Sequence, residues 1–186
     1  MDIECMMYVV ALTGCSGIRY GVRLLEVIKG EVTLIVSETA KRIMEYETGI
    51  DMEHLSSMAD QVYEDADLFA PLSSGSRSFE AMIIIPCSAS TLAKIACGIA
   101  DTLITRTAAV ALKEERRLIL VPRETPLSAV MIENELRLAR LGVTILPANP
   151  GFYHSPESIE DIIDFVVGKV LDQLGQGHSL YRRWKE

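Results

Sequence analysis

Residues 81–85, Ala-Met-Ile-Ile-Ile, offer no polar side chain to either face of an extended chain. A run this short is too brief for a buried helix, and its two apolar faces mark a strand covered on both sides, as in a parallel sheet. Comparable runs stand at 8–13, 31–36, 118–121 and 143–146. The stretches between them carry apolar residues at helical spacing: 18–29, a helix with Ala40, Ile43, Met44 and Glu47 closed by Gly49, one that ends near Gly98, 101–115, 128–141 and 157–174. Parallel neighbours need a crossover long enough to hold a helix, so this alternation predicts an α/β chain. Residues 50–80 are the least regular, with one short strand predicted near 61–64 and a loop at 73–76.

At 186 residues, with 49% hydrophobic side chains, the chain suits one globular domain spanning 1–186. A net charge of -8 provides no overall cationic field for nucleic acid. Cys5, Cys15, Cys87 and Cys97 form no C-x-x-C pair and have no histidines at zinc spacing, so no metal site and a reducing, cytoplasmic setting are expected. No apolar run approaches the roughly 20 residues of a membrane span.

In an open parallel sheet, ligands collect at the carboxyl ends of the strands, where helix N-termini offer free N–H groups. Four predicted strand ends carry informative residues: 14–17, Ser37, 88–91, and Arg123 with Glu124. Glycines at 14, 17 and 21 do not make the G-x-G-x-x-G fingerprint, and the second strand ends in Ser37 rather than an acidic residue. A nicotinamide dinucleotide is therefore disfavoured. Ser88, Ser90 and Thr91 put three hydroxyls at one helix start, where capping needs only one. Arg106 and Lys113 lie seven apart and share a helix face. Tyr153 sits in a loop between Pro150 and Pro156, where packing and ligand contact are both open to it. His54, His154 and His178 are isolated and read as non-catalytic.

Taken together, Gly14-Cys15-Ser16-Gly17, Pro86-Cys87-Ser88 with Thr91-Leu92-Ala93, R-x-A-x-V-x-L-K over 106–113, Pro122-Arg123-Glu124-Thr125-Pro126-Leu127-Ser128, Pro150-Gly151-Phe152-Tyr153 and Arg183-Trp184 resemble the UbiX family of flavin prenyltransferases. The resemblance implies a Rossmann-like three-layer α/β/α sandwich with a parallel six-stranded sheet, assembled as a homododecamer with active sites between subunits. It implies that reduced FMN receives a dimethylallyl group from dimethylallyl phosphate, at N5 and then C6, to give the prenylated FMN of UbiD-type decarboxylases, without a metal. FMN contacts would fall on Gly14, Cys15, Ser16, Ser37, Ser88, Ala89, Ser90, Thr91 and Arg123. Prenyl-phosphate contacts would fall on Lys113, Arg123, Tyr153 and Lys169, with Arg106 close by. Ser16, Glu47 and Glu124 match the residues that stabilise charge and move protons.

Two positions depart from relatives. Lys169 stands where several have arginine, replacing a planar fork with a point charge. Leu68 stands where some carry a tryptophan able to face an allyl cation, leaving Phe69 as the nearby aromatic. Two rival readings are a flavin-binding electron-transfer module and a flavin-dependent cysteine decarboxylase. The first has no use for a second anion site. The second needs a catalytic histidine and a Met-Asn clamp, and no Met-Asn pair occurs in the chain.

Overall fold

The computed structural model describes residues 6–185, so Cys5 lies outside the described residues. Six strands form one parallel sheet: β1 (Met7–Leu12), β2 (Glu31–Val36), β3 (Gln61–Glu64), β4 (Ala81–Cys87), β5 (Arg117–Pro122) and β6 (Thr144–Ile145), in the order β3-β2-β1-β4-β5-β6. Val9 pairs with Thr33 of β2 on one side and Met82 of β4 on the other. The two central strands, β1 and β4, are buried along their whole length, as their uninterrupted apolar runs require.

Alternation along each strand sorts the core into two layers. Tyr8, Val10 and Leu12 of β1 and Ile83 and Ile85 of β4 pack with α1 (Ile18–Val27), α2 (Glu38–Thr48), α3 (Met52–Ser56) and α7 (Ile159–Leu174). Val9, Ala11, Met82 and Ile84 pack with α4 (Ala89–Ala96), α5 (Leu103–Lys113) and α6 (Ala129–Arg140). This is the three-layer α/β/α sandwich expected from the sequence. Each fully buried Ile or Leu contributes about 1.5–3 kcal/mol relative to exposure.

The short strand expected near 61–64 is present at the sheet edge. Within the stretch read as irregular, Asp51 caps the unforeseen α3, which buries Leu55. The helix expected over 101–115 begins at Leu103, because the Thr102 side chain accepts from Thr105 N–H and so fixes the cap. The last strand shrinks from 143–146 to two residues. A Cβ on Gly21 would lie 2.5 Å from the Ile85 carbonyl oxygen, so its glycine sets how closely α1 approaches β4. Among the described residues no helix is long and apolar enough to cross a membrane.

Candidate active site

The sheet order reverses between β1 and β4, so the loops after these strands part and leave a crevice at their carboxyl ends. Thr13 pins that fork. Its hydroxyl donates to the Pro86 carbonyl at 2.9 Å and accepts from Ser88 N–H at 2.7 Å. The chain then passes through Gly17, whose φ of 107° suits glycine, into α1. That helix has no side-chain cap of its own. Glu47, reaching over from α2, accepts from Gly17 N–H at 3.0 Å and Ile18 N–H at 3.2 Å. The carboxylate expected to stabilise charge at a ligand thus also terminates a helix.

Beside the fork lies a cleft of about 210 Å³ lined by Thr13, Gly14, Ser37, Thr39, Asp65, Ser88, Ser90, Thr91, Lys94, Thr102, Ile104 and Thr105. Ser37 and Ser88 cap α2 and α4 by accepting from Ala40 and Thr91 N–H. Ser90 and Thr91 also line the cleft, with the Thr91 hydroxyl accepting from the Ser88 hydroxyl at 2.9 Å. Asp65, at the end of β3, holds the start of α5 by accepting from Ile104 N–H at 2.9 Å. Lys94 pairs with Asp101 at 2.8 Å. Thr13, Thr39, Asp65, Lys94, Thr102 and Thr105 escaped the sequence reading. Only Thr102 carried a signal there, as a capping hydroxyl before an apolar periodic run.

Arg123 and Glu124 follow β5, and among the described residues they form no ion pair with each other. Arg123 turns toward the first loop, its Nε donating to the Ser16 carbonyl at 3.2 Å. Exposed Glu124 accepts from Thr125 N–H at 3.1 Å. Cys15 feels the whole corner: burial pushes its thiol up to about 12, with Arg123 opposing and Glu124 and Glu47 adding to the rise. Cys15, Ser16, Glu47, Arg123 and Glu124 therefore converge on one corner next to the cleft.

The other cations have partners elsewhere in the chain. Arg106 Nε donates to the Ser73 carbonyl at 2.9 Å, and Lys113 pairs with Glu114 at 2.8 Å. Lys113 ends α5, about 15 Å along the helix from the end that lines the cleft, given a rise of 1.5 Å per residue. Lys169 pairs with Asp172 at 3.1 Å on α7. Tyr153, 40% exposed, meets Phe165, His154 and Trp184 edge-on. Its loop returns to the carboxyl edge, where Ala148 N–H donates to the Pro122 carbonyl at 3.0 Å. Leu68 is partly exposed and Phe69 fully so. A larger cavity of about 580 Å³ between α1, α2 and α7 reaches Glu47, but its Arg19 and Arg23 are already paired with Glu160 and Asp164.

A doubly wound parallel sheet with a hydroxyl-lined crevice at its switch point, fed by helix N-termini, defines a mononucleotide-binding α/β protein. The hydroxyls of Ser37, Thr39, Ser88, Ser90 and Thr91 suit the phosphate and polyol chain of FMN. Residues 3–171 match the model of the Flavoprotein family. The flavin prenyltransferase UbiX of Thermoplasma acidophilum is 51% identical over 180 residues, covering 96% of this chain and all of that protein. The chain belongs to the UbiX flavin prenyltransferases of the flavoprotein family. Two solved structures agree. A dodecameric FMN-dependent UbiX-like decarboxylase from Escherichia coli O157:H7 superposes with a TM-score of 0.94 at 45% identity, covering 97% of this chain and 100% of that one. AnUbiX (PadA1), in complex with FMN and dimethylallyl pyrophosphate, gives a TM-score of 0.95 at 42% identity and covers 98% of both chains.

Proposed function

We propose that this chain transfers a dimethylallyl group from a dimethylallyl phosphate donor to reduced FMN, making the prenylated cofactor that a UbiD-type decarboxylase then uses. The observation that carries the reading is the meeting of two environments: a hydroxyl cleft shaped for a flavin phosphate, and beside it a corner where Arg123, Ser16, Glu47 and Glu124 converge. The similarity to AnUbiX, with FMN and a prenyl pyrophosphate bound, supports the same pairing of ligands.

The Thr13 fork and the caps of α2 and α4 hold the cleft, so Gly14, Cys15, Ser16, Ser37, Ser88, Ala89, Ser90, Thr91 and Arg123 are assigned to FMN. When bound, reduced FMN supplies the electron-rich N5 and C6 atoms that receive the prenyl carbons. The donor's allylic C–O bond breaks with its electron pair leaving on phosphate. Arg123, Lys113, Lys169 and Tyr153, with Arg106 nearby, are assigned to hold that growing charge. Glu47 is assigned to stabilise positive charge on the allyl fragment, and Ser16 and Glu124 to move protons as each new bond forms. An allyl cation must form away from water.

Because Lys113 ends α5, about 15 Å along the helix from the end at the cleft, the full set of cations calls for more than one copy of the chain. A homododecamer, the assembly of the E. coli relative, meets that need if its sites lie between subunits. The chain makes a cofactor and removes no carboxylate itself, in a cytoplasmic setting and as a single domain over 1–186.

Anaerobic incubation with reduced FMN and either dimethylallyl phosphate or the pyrophosphate, followed by mass measurement of the released flavin, tests this. A gain of one five-carbon unit, stalled in Glu124→Gln, is expected. Unmodified FMN that stays tightly bound with both donors overturns the reading in favour of an electron-transfer module. Release of carbon dioxide from an aromatic acid by the protein alone overturns it in favour of a decarboxylase.

A further inference from the structure

Asp172, on the last turn of α7, has no part in the assignments above, yet its carboxylate accepts four hydrogen bonds. Lys169 Nζ (3.1 Å) and the Tyr181 hydroxyl (2.9 Å) bond one oxygen, and Arg183 (2.7 Å) and His178 Nε2 (3.2 Å) bond the other. His178 Nδ1 accepts from Leu180 N–H at 3.3 Å, so the neutral ring carries its proton on Nε2 and donates to Asp172. Burial opposes the carboxylate charge. The bonds from Arg183, Tyr181 and Lys169 overcome it and hold the group well below its ordinary range.

Local helix chemistry does not account for this residue. The helix is already ended by Gly175 in the left-handed conformation, with its N–H bonded back to the last turn. A negative charge in a last turn also runs against the helix dipole. What the carboxylate does is tie the chain's end to α7. Gly168 leaves the slot into which that end folds, since a Cβ there would stand 2.6 Å from Tyr181 and 2.7 Å from His178.

Two arms run from this hub to Tyr153. Through one, Tyr181 packs on Phe165 at 4.9 Å, and Phe165 meets Tyr153 at 5.7 Å. Through the other, Arg183 anchors the segment that brings Trp184 edge-on to Tyr153 at 5.4 Å and 86°. A third bond goes straight to Lys169. We propose that Asp172 is a positioning residue for the prenyl donor, one carboxylate setting Lys169 directly and Tyr153 through the folded-back C-terminal segment. The inference rests on the assignment of Lys169 and Tyr153 to the donor phosphate. A lysine on a free four-carbon stem loses rotamer freedom when it meets phosphate; one already held by Asp172 has lost it beforehand.

The test compares wild type with Asp172→Asn, Tyr181→Phe and Arg183→Gln, varying dimethylallyl phosphate at saturating reduced FMN and detecting prenylated flavin by mass. Asp172→Asn is expected to raise the donor KM about tenfold with a smaller change in kcat, a loss of binding shared by ground and transition states. The two milder variants raise it less, and FMN affinity read by flavin fluorescence stays within about twofold of wild type. Trp184 is the chain's single tryptophan, so its fluorescence anisotropy in the full-length chain reports the segment directly and falls in Asp172→Asn. A donor KM that is unchanged or lowered in all three variants overturns the inference while wild-type product still supports the transferase reading. So does an equal loss of FMN and donor binding. Wild type that forms no prenylated flavin overturns the transferase reading itself.

Discussion

The Glu47 carboxylate stands 3.0 Å from Gly17 N and 3.2 Å from Ile18 N, so a side chain on α2 terminates α1 beside the loop assigned to FMN. This joins a structural task to a chemical one in a single residue, and substitution can separate them. Glu47→Gln keeps an acceptor oxygen for the two N–H groups but removes the charge at the helix N-terminus, so a loss below about 1 kcal/mol in urea unfolding is expected while prenyl transfer falls sharply. Glu47→Ala removes the cap as well and is expected to lose about 1 kcal/mol of stability besides. A Gln variant with full turnover would restrict Glu47 to capping.

Thr13 is a sharper structural test, because its hydroxyl both donates to the Pro86 carbonyl near the end of β4 and accepts from Ser88 N–H in the loop beyond it. Thr13→Val keeps the shape and leaves Ser88 N–H without its partner, while the Pro86 carbonyl still accepts from the backbone N–H of residue 13 at 3.2 Å. The expected loss is about 1–3 kcal/mol in denaturant unfolding. FMN affinity, titrated by fluorescence, should weaken in parallel, since the fork shapes the cleft.

Gly21→Ala probes the seat of α1 on the sheet. Its Cβ meets a backbone carbonyl rather than the end of a flexible side chain. The helix must lift, at a cost of about 1–3 kcal/mol, visible as a lowered melting temperature.

Cys15 provides a pH test whose sign is fixed by its raised value. The folded chain keeps the thiol protonated up to about 12, against an ordinary value of 9.0. The folded state thus holds a proton that the unfolded chain releases near pH 9. The contribution to stability is complete below pH 9 and is lost as pH rises toward 12. Cys15→Ser should therefore flatten the alkaline fall in stability. At pH 8.5, iodoacetamide followed by peptide mass mapping should label exposed Cys97 ahead of Cys15 and buried Cys87.

If the donor site draws Lys113 and Arg123 from different copies, Lys113→Ala and Arg123→Ala should each lose activity as pure proteins. Unfolded together and refolded as a mixture, they should regain part of it, because some sites then combine two intact halves. No recovery in correctly assembled mixed oligomers would put both residues in one chain's site.

Much of the fold was legible because β1 and β4 are apolar on both faces, a pattern only a central parallel strand tolerates. The strand ends followed from that, and with them Gly14, Ser37, Ser88 and Arg123. Boundaries were less legible where one hydroxyl decides them, as Thr102 does for α5. The short α3 was missed because Asp51 caps five residues that bury only Leu55, too few for a periodic signal.

Local pattern alone determined the layers and which loops share an edge, since strand alternation and crossover length are properties of neighbouring residues. Tertiary structure alone decided the partners: Glu47 on the α1 terminus, Asp65 on α5, Arg123 toward Ser16 instead of Glu124, and Asp172 as the anchor of the C-terminal segment. These pairings join residues separated by 6 to 107 positions. A hydrogen bond between such residues depends on where whole helices come to rest in the packed layers, and no periodicity in the sequence records that distance.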